Sequence, residues 1–331
     1  MERSRYQVMI TDCDHGSIEE EKEELGRIGA ELILAQISEE EDLIRVCKEA
    51  DGLINQYAIL NRNVLNHLPK CKVVARYGVG VDSIDLRAAT DLGIIVANVP
   101  DYCIDEVATH TVAMLLTLIR KTAFFDRKVK SSQWDFRQGA SIHRIQGKIL
   151  GLIGCGKIGF EVAKRISIFG VKVMAFDPYI HSTGEKIELT DLETILRKSD
   201  FISIHCPLNE STRHLISEKE FKKMERKPFL FNTSRGPIVN EKALIQALEE
   251  GRISGAGLDV LETEPPGSEN PMLKMENVIF SPHVGFYSEE SISDLKRRTA
   301  KNVSDVLMGR RPGSVVNQEV ISKTRATISM D

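Results

Sequence analysis

The stretch Ile149-Leu150-Gly151-Leu152-Ile153-Gly154-Cys155-Gly156-Lys157-Ile158-Gly159 decides how the rest of the chain is read. Its first five residues are apolar without alternation, the mark of a strand buried on both faces. Glycines then stand at positions 154, 156 and 159. In a strand–turn–helix unit the first glycine allows a tight turn and the second lets a pyrophosphate approach the backbone. The third lets helix and strand pack closely, while the helix N-terminus attracts negative charge. Asp177 closes the next strand-like run, Lys172–Phe176, about 20 residues further on, where the dinucleotide fingerprint places an acid that bonds the ribose hydroxyls. Such an acid repels an added 2′-phosphate, and Pro178-Tyr179-Ile180 offers no arginine to receive one. The expected cofactor is therefore NAD, held by Gly154, Gly156, Lys157, Ile158, Gly159, Asp177 and Pro178.

On either side of this unit the chain alternates strand-like and helix-like segments. Upstream, strands are expected at Gln7–Thr11, Leu32–Leu34, Gly52–Asn55, Lys72–Arg76 and Ile94–Ala97, with helices near 18–29, 40–50, 61–68 and 84–92. Asn98-Val99-Pro100-Asp101-Tyr102 interrupts the pattern, because proline disfavours strand continuation. An apolar helix, Ile104–Lys121, follows, then a polar stretch, Lys128–Gln138, with the single tryptophan, Trp134. Alternation then resumes with Ile149–Ile153, Lys172–Phe176, Phe201–His205, Pro228–Asn232, Ala256–Asp259 and Val278–Ser281. An amphipathic helix from about Ser288 to Met308 ends at Gly309. Two successive βαβ series imply an α/β fold with parallel sheets.

Bulk properties narrow the function classes. The 331 residues carry 44 basic and 48 acidic side chains, a net charge of -4, and 42% are hydrophobic. At roughly 100–200 residues per domain, two domains with their own cores are expected. The mild acidity gives no reason to expect nucleic-acid binding, which needs concentrated Lys and Arg. The longest apolar runs, such as Val112–Ile119, fall short of the about 20 residues that a membrane span requires. The N-terminus has no secretory-type apolar stretch. Six cysteines are scattered without a paired or metal-ligand spacing, so reduced thiols and a cytoplasmic location are expected, with no metal.

In open parallel sheets ligands bind beyond the carboxyl ends of the strands. In the second series those positions hold Gly154, Asp177, Cys206-Pro207, Thr233 with Arg235, Asp259 and His283. Arginine offers a planar fork for a carboxylate. Histidine exchanges a proton near neutral pH, and a carboxylate such as Glu264 beside it would orient the ring and favour its charged form. Together they define one site.

At this point the chain resembles the D-isomer-specific 2-hydroxyacid dehydrogenases over essentially its whole length. The blocks that carry the resemblance are Ala75–Asp82 (ARYGVGVD), Gly151–Gly159 (GLIGCGKIG), His205–Leu208 (HCPL) with Thr212, Asn232–Pro237 (NTSRGP), Gly257–Pro265 (GLDVLETEP) and Ser281–Gly285 (SPHVG). The resemblance implies two Rossmann-like domains, with the NAD-binding domain, 102–287, inserted into a substrate domain of 1–101 and 288–331. It also implies a cleft that closes in turnover and a homodimer held through the cofactor domains. His283 would be the acid/base, Glu264 its partner, and Arg235 the group that binds the substrate's carboxylate and carbonyl. The amides of Val79 and Gly80 would also hold the carboxylate. Thr212 would lie near the phosphates, with Cys206 and Pro207 beside the cofactor, and Thr233, Asp259 and His283 on the nicotinamide side. The implied reaction passes hydride between NADH and C2 of a 2-oxoacid, giving the D-hydroxyacid.

Within the family, Asn98–Cys103 (NVPDYC) and Pro282–Glu290 (PHVGFYSEE) are most similar to bacterial relatives of the C-terminal-binding-protein and phosphoglycerate dehydrogenase branch. Well-known members of the former carry tryptophan where Phe286 stands here. Arg76 is a further substrate residue if the substrate bears a second anionic group, and Tyr77 is read as lining the pocket. Two alternatives to a simple 2-oxoacid reductase are a phosphoglycerate dehydrogenase-type activity and an NAD(H)-sensing, co-repressor-like interaction protein. The substrate itself is not legible.

Overall fold

The computed structural model describes residues 5–139, 141–183 and 187–328. The chain forms two compact units, one built from the segments up to Tyr102 and from Ser288 onward, the other from Cys103–Tyr287. Residues 1–4 and 329–331 of the expected substrate domain lie outside the described residues.

The first unit contains β1 (Tyr6–Ile10), α1 (Glu19–Gly26), β2 (Ala30–Leu34), α2 (Glu40–Cys47), β3 (Gly52–Asn55), α3 (Arg62–Asn66), β4 (Val73–Arg76), α4 (Leu86–Asp91) and β5 (Ile95–Ala97). Its five strands are parallel, in the order β2-β1-β3-β4-β5. That is a doubly wound sheet whose order reverses between β1 and β3. Apolar clusters cover both faces. One, containing Val8, Ile10, Ile54 and Ala75, packs against Leu295, Val303 and Val306 of the returning C-terminal helix. The other, containing Met9, Leu53 and Val74, packs against Leu43, Leu65 and Ala88. Beyond that helix, Val316 donates to the Val96 carbonyl and the Asn317 side chain accepts from Val96 N, so the tail occupies the edge of β5. An open strand edge is thereby covered.

The second unit begins with α5 (Ile104–Arg120) and α6 (Thr122–Lys130) and continues with β6 (Ile149–Ile153), α7 (Lys157–Ser167), β7 (Lys172–Phe176), β8 (Ile187–Leu189), α8 (Leu192–Lys198), β9 (Phe201–Ile204), α9 (Glu218–Lys222), β10 (Phe229–Asn232), α10 (Glu241–Glu249), β11 (Gly255–Leu258) and β12 (Val278–Phe280). The sheet runs β12-β11-β10-β9-β6-β7-β8, all parallel. The order reverses at β6 and β9, so the crevice at their carboxyl ends is the ligand position of a Rossmann sheet. The returning helix of the first unit is α11 (Glu289–Leu307).

Local chemistry explains the helix starts. Asn61, Asp85, Asp191, Asn240 and Ser288 each accept an N–H of the first turn, the N-cap geometry short polar side chains favour. Two elements differ from the sequence reading. The run after residue 121 holds a separate helix, α6, because Lys121 adopts a left-handed φ of 55° and breaks the helical path without a glycine to announce it. The short edge strand β8 has no apolar run to signal it, since its middle residue, Glu188, is exposed.

Candidate active site

The carboxyl end of β6 is built to bring backbone close to backbone. Gly154 adopts φ 93°, and a side chain there would meet Cys206 N at 2.6 Å and the His205 carbonyl carbon at 2.7 Å. Only glycine fits. A Cβ on Gly159 would lie 2.5 Å from the Gly154 carbonyl oxygen, so α7 is seated directly on the turn. A Cβ on Gly156 meets nothing within 4 Å. Gly156 is also the N-cap of α7 and brings no side chain to its first turn. Open space in front of an uncapped helix N-terminus fits a pyrophosphate.

Asp177 follows β7 and touches the same turn. Its Oδ2 accepts from Cys155 N at 2.9 Å and its Oδ1 from Tyr179 N at 2.9 Å. A carboxylate has about four lone-pair sites, so acceptor capacity remains for ribose hydroxyls. The fit to a dinucleotide rests on these residues together. Thr212 donates to the Pro207 carbonyl at 2.6 Å and accepts from Asn209 N at 2.8 Å, which shapes the 207–212 turn. Ser234 Oγ donates to the Cys206 carbonyl at 2.6 Å, joining that segment to the end of β10. Burial pushes the Cys206 thiol up to about 11 and, helped by the charge of Asp177, also raises that of Cys155. These thiols stay protonated at neutral pH and act as small apolar fillers; all six cysteines are free.

A histidine–carboxylate pair forms between the segments that follow β11 and β12. His283 Nδ1 lies 2.7 Å from Glu264 Oε2, and Glu264 Oε1 accepts from Leu261 N at 3.0 Å. Burial alone would raise the Glu264 carboxyl. The His283 hydrogen bond and charge, the Leu261 amide and the Arg235 charge outweigh burial and hold it below its ordinary value. With Nδ1 engaged by Glu264, Nε2 is the ring nitrogen that this pair leaves over. Phe286 meets the imidazole edge-on, with centroids 6.2 Å apart.

Arg235 sits in the turn after β10. Its carbonyl accepts from Asn232 Nδ2 at 2.9 Å, and its guanidinium donates to the Ser234 carbonyl at 2.8 Å. A Cβ on the next residue, Gly236, would lie 1.9 Å from the Leu261 carbonyl oxygen. The Arg235 turn and the Glu264 loop therefore press together, and the positive charge of Arg235 is felt at the Glu264 carboxyl. Arg235, Glu264 and His283 are thus gathered at one sheet edge.

Asp259 proves to be structurally committed. It is 3% exposed, and its carboxylate accepts from Ser281 Oγ at 2.5 Å, Val284 N at 3.0 Å and Gly285 N at 2.9 Å, while its carbonyl accepts from His283 N. It holds the loop that presents His283. Thr233 Oγ1 lies 2.9 Å from Thr111 Oγ1 of α5. Three residues at this edge were missed by the sequence reading: His110, Thr111 and Ser281. Their only signal was polarity on the inward face of an apolar helix and in a strand end.

The expected carboxylate-binding segment belongs to the first unit, at the end of β4. Val99 N donates to the Gly78 carbonyl and Asn98 Nδ2 to the Val79 carbonyl. In a trans peptide the N–H points opposite to the C=O, so the amides of Val79 and Gly80 face away from residues 98 and 99. Gly78 adopts φ 126°, and the Arg76 guanidinium folds over it, with Nη1 1.7 Å from where a Cβ would stand. Tyr77 corrects the sequence reading. Its ring is 2% exposed and its hydroxyl donates to Glu21 at 2.5 Å, so the side chain underpins the loop rather than lining a pocket.

A Rossmann sheet that gathers a glycine-rich turn, the strand-end acid Asp177 and the group Arg235, Glu264 and His283 at its carboxyl edge belongs to the class of NAD-dependent oxidoreductases acting on the CH–OH group of 2-hydroxyacids. The family model for the D-isomer specific 2-hydroxyacid dehydrogenase NAD binding domain matches residues 112–285. A glyoxylate reductase of Thermofilum pendens is 38% identical over 85% of each chain. A D-3-phosphoglycerate dehydrogenase of Methanocaldococcus jannaschii is 36% identical over 96% of this chain and 60% of its own length. A crystal structure of D-lactate dehydrogenase from Aquifex aeolicus, complexed with NAD and lactic acid, superposes with a TM-score of 0.84 at 26% identity, covering 98% of this chain and all of that one. The chain belongs to the D-isomer specific 2-hydroxyacid dehydrogenase family. Among the described residues no helix is long and apolar enough to cross a membrane.

Proposed function

We propose that this enzyme reduces a small 2-oxoacid, with glyoxylate the first substrate to test, to the D-2-hydroxyacid. The observation that carries the reading is the 2.7 Å contact of His283 Nδ1 with Glu264 Oε2 beside Arg235. NADH, held at the glycine-rich turn, would supply the hydride. Arg235 anchors the substrate carboxylate and stabilises the negative charge that develops on the carbonyl oxygen, the electrostatic term that usually dominates. His283 delivers its Nε2 proton to that oxygen, and Glu264 keeps the ring oriented. In the oxidative direction the same nitrogen takes the proton back.

Under this reading the unit Cys103–Tyr287 is the cofactor domain, and the unit formed up to Tyr102 and from Ser288 is the substrate domain. The amides of Val79 and Gly80 hold the carboxylate. Gly154, Gly156, Lys157, Ile158 and Gly159 receive the pyrophosphate with Cys206, Pro207 and Thr212, Asp177 and Pro178 receive the adenosine ribose, and Thr233 and Asp259 flank the nicotinamide. The glyoxylate reductase names of the curated relatives, which match over most of their own length, support a small substrate. We assign a homodimer in the cytoplasm, and Trp134 and Phe136, 88% and 83% exposed, offer apolar surface for pairing.

One observation favours a second reading. The Arg76 guanidinium folded over Gly78 adds positive charge beside the carboxylate-binding amides, which suits a doubly anionic substrate such as a phosphorylated hydroxyacid. A panel of glyoxylate, hydroxypyruvate, its phosphate and pyruvate, followed by NADH absorbance, separates the two. Fastest turnover of the phosphorylated acid selects the second. Tight NADH binding without turnover on any member would count against both and favour a nucleotide-sensing role.

A further inference from the structure

We propose that His110 is a positioning residue for the reaction, acting through Ser281 and Asp259 on the loop that presents His283. The proposal rests on the reading of His283 as the proton donor. His110 lies on α5, far in sequence from the catalytic segments, and its side chain is three-quarters buried. Its Nε2 is 2.8 Å from Ser281 Oγ and 3.5 Å from Asp259 Oδ1.

The direction of this chain of bonds follows from proton counting. The Ser281 hydroxyl has one proton, and its shortest acceptor is the Asp259 carboxylate at 2.5 Å. A charge-assisted bond of that length outweighs the alternative contact to Met114 Sδ at 3.8 Å. Ser281 Oγ must therefore accept from His110, which fixes the proton on Nε2. Asp259 then uses both oxygens on the next turn of chain, accepting from Val284 N and Gly285 N, while its carbonyl takes His283 N. His283 itself sits in the left-handed region, at φ 51°. A non-glycine residue persists there only when its surroundings over-determine it. The bonds that do so run from His110 through Ser281 to Asp259.

The neighbouring residue on α5 makes a parallel contact. Thr111 donates to the Val107 carbonyl at 2.7 Å, so it accepts from Thr233 Oγ1, two residues before Arg235. One turn of a single helix thus touches the segments that carry both Arg235 and His283. Cβ space confirms how close this packing is: a side chain on Gly285 would meet Asp259 Oδ2 at 2.8 Å and His110 Cδ2 at 3.3 Å.

The test uses His110→Leu, His110→Gln and Ser281→Ala in the full-length enzyme, with two readouts. A glutamine amide reaches the place of Nε2 and restores the donor; leucine does not. Amide exchange at Val284 and Gly285, read by NMR without substrate, is expected to speed up about tenfold in His110→Leu and Ser281→Ala, as local protection by the carboxylate is lost, and to stay near wild type in His110→Gln. In turnover of NADH with the best 2-oxoacid, the first two variants should lose roughly 10–100-fold in kcat with little change in KM, and His110→Gln should recover most of it. Unchanged exchange in His110→Leu and Ser281→Ala would overturn the proposal, as would faster exchange with unchanged kcat, or a glutamine variant as impaired as leucine. If His110→Leu does not fold, Ser281→Ala decides alone. A wild-type enzyme inactive on every 2-oxoacid would defeat the functional reading instead, and the exchange data would still decide whether His110 holds the loop.

Discussion

His283 holds a left-handed backbone conformation and still places Nδ1 2.7 Å from Oε2 of Glu264, a residue in a different loop. The contact is possible because both loops leave the carboxyl edge of one sheet from neighbouring strands, β11 and β12. Glu264 is fixed in turn by Leu261 N, so neither partner depends on a long flexible side chain alone.

The acid stability of this pair has a definite sign. The Glu264 carboxyl is held below its ordinary value, so its contribution to stability is present above the unfolded carboxylate range and lost as pH falls through the folded value. The difference in melting temperature between wild type and Glu264→Gln should therefore be present at pH 6 and shrink below about pH 4, where an unperturbed glutamate protonates. Thermal melts across that window check it. A difference that grows on acidification would contradict the assignment.

The two glycines of the turn after β6 should fail in different ways. In Gly154→Ala the new methyl meets Cys206 N and the backbone is strained at φ 93°, so the melting temperature should fall, by about 1–3 kcal/mol of stability. In Gly156→Ala the methyl meets nothing in the chain, so the melt should be near wild type while NADH binding weakens about tenfold or more, roughly 1.4 kcal/mol. Fluorescence titration with NADH, paired with melts, separates the two.

Asp177 should govern the choice of nucleotide. Asp177→Ser removes the charge that would repel a 2′-phosphate, so the ratio of kcat/KM with NADPH to that with NADH should rise about tenfold or more, equivalent to about 1.4 kcal/mol. Because Asp177 also accepts from Cys155 N, NADH affinity should fall as well. A ratio unchanged from wild type would remove Asp177 from the ribose site.

Tyr77→Phe should act on stability and not on chemistry. The hydroxyl is the partner of a buried carboxylate, Glu21, which also lies 3.8 Å from Lys296 Nζ. Removing it leaves an acceptor short of a donor inside the core, at a cost of about 1–3 kcal/mol. Melting and steady-state kinetics should show a lower midpoint with KM and kcat near wild type. A large rise in KM at unchanged stability would return Tyr77 to the pocket.

What was legible in the sequence was chemistry that is local in the chain. The turn from Gly154 to Gly159 announces itself because a tight turn, a close approach and a helix start each demand a residue type at a fixed offset. Arg235, Glu264 and His283 were legible through strand ends, since a parallel sheet sends every such end to one edge. His110 was not legible, because its partner Ser281 is 171 residues away and nothing local marks a histidine on an apolar helix as anything but core. The loop-holding part of Asp259 was not legible either: the resemblance implies a place on the nicotinamide side, and a strand-end acid looks the same whether or not its oxygens also hold the amides of the next loop. Tyr77 failed for the converse reason: its loop position is legible, but the direction of its ring depends on Glu21 and Lys296, which come from α1 and α11.

The most direct measurement is turnover of NADH with glyoxylate and other 2-oxoacids by wild type and by His283→Ala, together with NADH affinity for both. Wild type should oxidise NADH readily with at least one 2-oxoacid. His283→Ala should lose roughly 10²–10⁴-fold in kcat while binding NADH nearly as before. Equal turnover in the two proteins would contradict the assignment of His283 as proton donor and, with it, the mechanism built on its contact with Glu264.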